Sequence, residues 1–159
     1  IVRLCKELNV KVILKPSPAQ ALSPDLLENL FLLIPNQEEA DILAPNFETP
    51  NDQATSFLHQ GVENVIITLA DKGCLFASGN DARFYPAVDF PSVDATGASD
   101  IFISCLAAQL SKGDDMDTAI KLATIAASYS VSKEGVQNAI ISPELLQDLY
   151  NGDYSLEKL

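Results

Sequence analysis

The chain predicts an α/β fold with a mostly parallel sheet covered by helices on both faces. Three observations carry that prediction. Short apolar runs recur along the first half: Lys11-Val12-Ile13-Leu14, Phe31-Leu32-Leu33-Ile34 and Val65-Ile66-Ile67-Thr68-Leu69. Strands buried on both faces read as continuous apolar runs, not as alternating ones. Segments with helix-start signals or helical periodicity separate these runs. Pro, Gly and Asn-rich stops mark each change, which is the punctuation a layered α/β sheet needs.

Ile1, Leu4, Cys5 and Leu8 lie at helical spacing, so the chain opens inside a helix that Asn9-Val10 ends. That opening, with no Met, reads as a fragment, a processed product or an incompletely observed chain. The strand Lys11–Leu14 is stopped by Pro16 and Pro18. Ser23-Pro24-Asp25 starts a short helix through Leu30, with an N-cap, Pro at the first position and an acid in the first turn. Phe31–Ile34 is a second strand, ended by Pro35. Glu38–Leu43 is a helix, and Thr49-Pro50-Asn51 opens another that runs to about Gln60 before Gly61 closes it.

Val65–Leu69 is the third strand, followed by a turn at Asp71-Lys72-Gly73. Cys74–Ala77 and Arg83–Pro86 form an antiparallel pair turning at Gly79-Asn80-Asp81. A helix runs from Ala98 to Leu110 and stops at Gly113. A second runs from Met116 to Ser130, with Ala119, Ile120, Ala123, Ala126 and Ala127 on closely packing faces. Ser142-Pro143-Glu144 starts a last helix through Tyr150. The polar tail Asn151–Leu159 is expected to fray.

Composition narrows the function classes. A length of 159 residues suits one domain with a real core, and 47% apolar against 20% charged residues excludes disorder. A formal charge of −12 argues against a nucleic-acid or anionic-membrane surface. Such a chain still binds a nucleotide if Mg²⁺ and oriented amides handle the phosphates locally. No apolar run reaches bilayer length, and the opening segment has no signal-peptide core. Cys5, Cys74 and Cys105 are far apart, show no metal or redox spacing and sit among apolar neighbours. They read as small core residues in a reducing cytoplasm. The single histidine, His59, lies on a surface helix without a partner motif.

The chemistry concentrates in Asp94-Ala95-Thr96-Gly97-Ala98-Ser99-Asp100, which runs directly into the apolar stretch Ile101–Leu110. A small turn-forming run that opens a helix leaves backbone N–H groups free to hold an anion. Asp100 sits just inside that start. An anion cradle beside a carboxylate suits phosphoryl transfer, which needs donors for the moving oxygens and a base for the accepting hydroxyl. Taken by itself the run is also an ordinary capped helix start. Asn36-Gln37-Glu38-Glu39 follows a buried strand and reads locally as a capping box. Val65 to Gly73 reads locally as a buried strand and a turn, and the small-residue face of Met116–Ser130 as tight helix packing.

In order and spacing, these segments resemble the C-terminal half of the ribokinase-like (phosphofructokinase B type) carbohydrate kinases. The Asp94–Asp100 run is similar to the family's Asp-Thr-x-Gly-Ala-Gly-Asp signature, with Ser99 in place of the last glycine. Asn36 and Glu39 match an Asn-x-x-Glu. Thr68-Leu69-Ala70-Asp71-Lys72-Gly73 resembles Thr-Leu-Gly-x-x-Gly, with Ala70 for the first glycine. The stretch Leu122 to Val131, then Gly135-Val136-Gln137, resembles the family's closing helix and loop, with Thr124 for an Asn. Lys11 to Ala19 echoes a strand ending Asn-Pro-x-Pro, with Lys15 for the Asn, and no chemistry is read from it.

The resemblance implies a three-layer ribokinase-like fold, with residues 1–159 as the C-terminal part of a single domain whose N-terminal half and lid are absent. It implies ATP-dependent phosphorylation of a small sugar or nucleoside hydroxyl, with the fragment inactive alone. Asp100 is then the base, and the N–H groups of Gly97, Ala98 and Ser99 form the anion hole. Asn36, Thr68, Gly73, Thr124 and Ser128 border ATP. Glu39 helps hold Mg²⁺ through water, and Asp94 and Thr96 hold a monovalent cation such as K⁺. A Cβ at Ser99 could push the loop off the phosphate if that position needs glycine torsions. A degenerate member that binds nucleotide or a partner without turnover is the alternative, and a plain α/β fragment is the third reading. The sugar and any homodimer stay open, because the parts that decide them lie outside this chain.

Overall fold

The computed structural model describes residues 1–153, so the last residues of the expected frayed tail, 154–159, lie outside the described residues. Among the described residues one sheet carries the strands β1 (Ile13–Leu14), β2 (Leu32–Leu33), β3 (Asn64–Thr68), β4 (Gly73–Ser78) and β5 (Asp81–Pro86), adjacent in that order. β1, β2 and β3 are parallel, with Ile13 opposite Leu32 and Leu33 opposite Val65. β4 runs antiparallel to β3, from Asn64 opposite Ser78 to Thr68 opposite Cys74. Parallel neighbours need crossovers, and helices supply them. α1 (Val2–Glu7) precedes β1, α2 (Pro24–Leu27) joins β1 to β2, and α3 (Gln37–Leu43) and α4 (Pro50–His59) join β2 to β3. A 3-10 turn, Ala70–Lys72, joins β3 to β4, and Gly79-Asn80 joins β4 to β5.

The first two strands are shorter than the apolar runs that predict them. Only two residues of each run sit in the ladder, although Val12 still accepts from the Phe31 and Leu32 N–H groups, at 3.1 Å each. α2 also stops early, at Leu27, because the chain tightens there and turns Leu30 into the core.

The chain divides into two compact units, Ile1–Phe84 and the part from Tyr85 onward. In the first, Leu33, Val65 and Ile67 pack with Ala40, Ala54 and Phe57 from the crossover helices. Successive strand side chains point to opposite faces. Leu32, Ile34 and Ile66, which alternate with these, are also at most 1% exposed, so both faces of the sheet are covered. In the second unit α5 (Ala98–Lys112) packs on α6 (Met116–Ser130), and α6 on α7 (Pro143–Tyr150). Ala119, Ala123 and Ala126 are buried, as the small-residue face predicts. Asp115 caps α6 by accepting the Thr118 N–H at 2.9 Å, and that bond is the main reason its carboxyl lies below the ordinary aspartate value. Cys74 is buried, Cys5 and Cys105 are half-buried, and all are free thiols. His59 is exposed in the last turn of α4.

Ala70 adopts φ +52° and Gly73 φ +110°, so the β3–β4 turn needs two left-handed residues and has a glycine at only one. A Cβ in that region costs about 1–2 kcal/mol. Ala70→Gly is therefore expected to raise the stability of the protein, by about 0.5–1 kcal/mol after glycine's larger unfolded-state entropy is set against it. Urea unfolding checks this, and no gain would mean the turn relaxes around alanine.

Candidate functional site

Parallel strands all end on one side, and this places the first group of candidate residues. Lys15 follows β1, Asn36 comes shortly after β2, and Thr68 ends β3; Gly73 starts the antiparallel β4 at the same edge. In open α/β sheets this carboxyl edge is where ligands bind. Asn36 and Thr68 are held side by side by an isolated parallel bridge, and the Thr68 N–H donates to the Pro35 carbonyl at 3.0 Å.

Asn36 and Glu39 form the capping box their spacing predicts. The Glu39 N–H donates to Asn36 Oδ1 at 2.8 Å, and the Asn36 N–H donates to Glu39 Oε2 at 2.7 Å. The Lys15 ammonium is paired with that same Oε2. Both side chains are largely withdrawn from water, at 19% exposure for Lys15 and 10% for Glu39. Lys15 is thus part of the site although its sequence context suggests no chemistry. Its position at the carboxyl end of the first strand is the signal that points to it.

The second group belongs to the unit that begins at Tyr85. Asp94 organises it. Its Oδ1 accepts the Thr96 N–H at 2.9 Å and its Oδ2 accepts the Gly135 N–H at 3.2 Å. The Thr96 side chain, and after it these two N–H groups, hold the Asp94 carboxyl below the usual carboxylate range. The N–H groups of Val93 and Asp94 both donate to the Val131 carbonyl at the end of α6, at 2.7 and 3.0 Å. The loop before α5 is therefore fastened both to the end of α6 and to the 132–138 loop. Gly135 lies in the loop that the resemblance singles out, but its backbone bond, like that of Val131, leaves no residue signature.

Gly97 caps α5 at φ +80°, and a Cβ there would stand 3.2 and 3.3 Å from the two methyl carbons of Val136. Torsion and close approach both require glycine at this position. Of the three donors expected for the anion hole, Ala98 is the exception: its N–H turns back to the Ala95 carbonyl at 3.3 Å. Among the described residues the N–H groups of Gly97, Ser99 and Asp100 have no acceptor, as the first turn of a helix leaves them. Ser99 lies inside the helix and not at positive φ, so serine brings no torsional strain there. Asp100 is exposed in the first turn of α5.

Thr124 and Ser128 have structural partners. The Thr124 hydroxyl is buried and donates to the Ile120 carbonyl of its own helix at 2.8 Å. The Ser128 hydroxyl accepts the Val88 N–H at 3.1 Å.

The family model for pfkB family carbohydrate kinases matches residues 2–143. This chain belongs to the pfkB family. The ribokinase of Staphylococcus aureus is 34% identical over 142 residues, which cover 86% of this chain and 47% of that protein. The crystal structure of ribokinase from Thermotoga maritima superposes with a TM-score of 0.87 at 33% identity, covering 94% of this chain and 52% of that one. Ribokinase of Arabidopsis thaliana, solved with ribose and ATP, superposes at 0.86 with 24% identity over 93% of this chain and 50% of its own, and shows the shared fold. The chain spans about half the length of the curated relatives it matches. The expected ribokinase-like α/β fold is thereby established for this member of the pfkB family.

Two tests follow for the loop before α5. Gly97→Ala is expected to destabilise the protein by more than about 1 kcal/mol in urea unfolding, since it adds a strained torsion to a contact that must yield. The lowered Asp94 pKa means the native state holds that proton less readily than the unfolded chain. The clamp's contribution is complete above the ordinary value of 3.8 and is lost as pH falls through the lower native value. The Thr96 and Gly135 amide resonances are expected to titrate together with a midpoint below 3.8, and Asp94→Ala to abolish that titration. A midpoint at or above 3.8 contradicts the clamp.

Proposed function

We propose that the protein carrying this chain is an ATP-dependent carbohydrate kinase, and that this chain supplies the nucleotide and catalytic-base part of a single ribokinase-like domain. The observation that carries this reading is the start of α5. Asp100 is exposed there beside N–H groups without acceptors, on a loop fixed by Asp94, Val131 and Gly97. In this reading Asp100 takes the proton of the attacking sugar hydroxyl. The oxygen–phosphorus bond to the γ-phosphoryl forms, and the bond to the departing ADP breaks. The N–H groups of Gly97 and Ser99 face the charge on the transferring oxygens. Proximity to the helix dipole keeps Asp100 ionised and so only weakly basic. A loose transition state tolerates a weak base, because positioning and charge stabilisation do most of the catalysis.

The relatives named ribokinase make a small sugar such as ribose the first substrate to try. A carboxylate and a hydroxyl, Asp94 and Thr96, are the hard oxygen donors that a K⁺ ion takes, and a cation there would add positive charge beside the loop. Glu39, the residue expected to help hold Mg²⁺, does not fit that role, because its carboxylate already has the Lys15 ammonium as its partner. Free thiols support a reducing, cytoplasmic setting, and among the described residues no helix is long and apolar enough to cross a membrane.

Nucleotide binding without turnover is a second reading, favoured by Ala70 and Thr124 standing where the family pattern has Gly and Asn. One assay separates the two. The full gene product is expected to phosphorylate ribose or a related sugar with ATP, and Asp100→Ala to lower kcat by about 10²–10⁴, the usual contribution of a general base. Tight ATP binding with no turnover in the wild type selects the second reading, and full activity in Asp100→Ala removes Asp100 as the base.

A further inference from the structure

We propose that Lys15 is the resident counter-ion of Glu39 and takes the place of a divalent cation at that carboxylate. The proposal rests on the assignment of Asn36 and Glu39 to the nucleotide side of the site. Glu39 Oε2 carries two donors, the Asn36 N–H at 2.7 Å and the Lys15 ammonium. Lysine is rarely withdrawn from water unless paired, and the Lys15 side chain is only 19% exposed against a carboxylate at 10%. The ammonium is delivered from the backbone by a fixed scaffold. β1 pairs in register with β2, and the buried Pro16 follows Lys15 directly.

This arrangement changes what the carboxylate offers a metal. Mg²⁺ parts with its waters reluctantly and is drawn to a site by uncompensated negative charge. Here that charge is neutralised in place, and a second cation approaching Oε2 meets the ammonium first. Among the described residues Glu39 belongs to no cluster of three acidic, thiol or imidazole side chains that would restore the attraction. A divalent ion therefore reaches this protein attached to the nucleotide phosphates and has no seat at Glu39 of its own. A neutral side chain at position 15 reverses this, leaving a buried carboxylate with its charge unopposed at the carboxyl edge of the sheet.

Manganese alone, added to the nucleotide-free full gene product, tests the proposal. Mn²⁺ is counted by electron paramagnetic resonance, and Glu39 is watched by paramagnetic broadening of its amide resonance. The wild type is expected to show no Mn²⁺ broadening at Glu39. Lys15→Asn is expected to gain a Mn²⁺ site at least about tenfold tighter than any wild-type binding, the scale on which groups bonded to a metal-binding carboxylate alter affinity. Adding Glu39→Gln to that variant is expected to remove the site. Broadening at Glu39 in the wild type overturns the proposal, and so does a folded Lys15→Asn that gains no site. If Lys15→Asn fails to fold, the wild-type broadening decides by itself. Sugar phosphorylation is not read in this experiment. An inactive protein that passes it sinks the kinase reading alone, and an active one that fails it sinks the role of Lys15 alone.

Discussion

Everything distinctive in the second unit depends on Asp94 keeping its charge. Its two oxygens reach in different directions, one to Thr96 in its own turn and the other to Gly135 far along the chain. The first bond shapes the turn that delivers Gly97 to the start of α5. The second brings the 132–138 loop close enough for Val136 to lie against Gly97. Hydrogen bonds to an ionised acceptor are stronger than neutral ones, and here they organise backbone, not side chains. The open N–H groups at the head of α5 are a product of this clamp.

The first unit solves a different problem, which is how to place polar groups at the edge of a dry sheet. β2 and β3 are sealed on both faces, so polar chemistry is confined to where strands stop. Parallel direction collects those stops on one side. Asn36 and Glu39 satisfy the head of α3 with each other, which makes the same pair both a structural cap and the polar lip of the sheet. Lys15 completes the set by bringing positive charge to a buried acid, an arrangement that is costly to break because either partner alone would be stranded.

The legible parts of the sequence were those written in local chemistry. α6 and α7 have the bounds expected of them because Asp115 and Ser142 stop and start helices by bonds within three residues. The Asn36–Glu39 box is local in the same sense, and so is the head of α5. β1 and β2 were harder. An apolar run announces a strand, but how many of its residues join a ladder depends on a neighbour's register, which no short stretch encodes. The Lys15–Glu39 pair spans 24 positions and exists only because β1 and β2 align as they do. The bonds of Thr124 and Ser128 were hidden for the opposite reason. A hydroxyl on a helix readily bonds its own backbone or a nearby N–H, and sequence does not say which it does.

The Val131 carbonyl receives two N–H groups from the loop before α5, and it stands at the last turn of α6. Each residue of a helix turns its successor by about 100°. Gaining or losing a single residue within α6 would swing that carbonyl away from both donors, whatever the residue was. Substitution along this helix preserves that phase, while insertion and deletion change it.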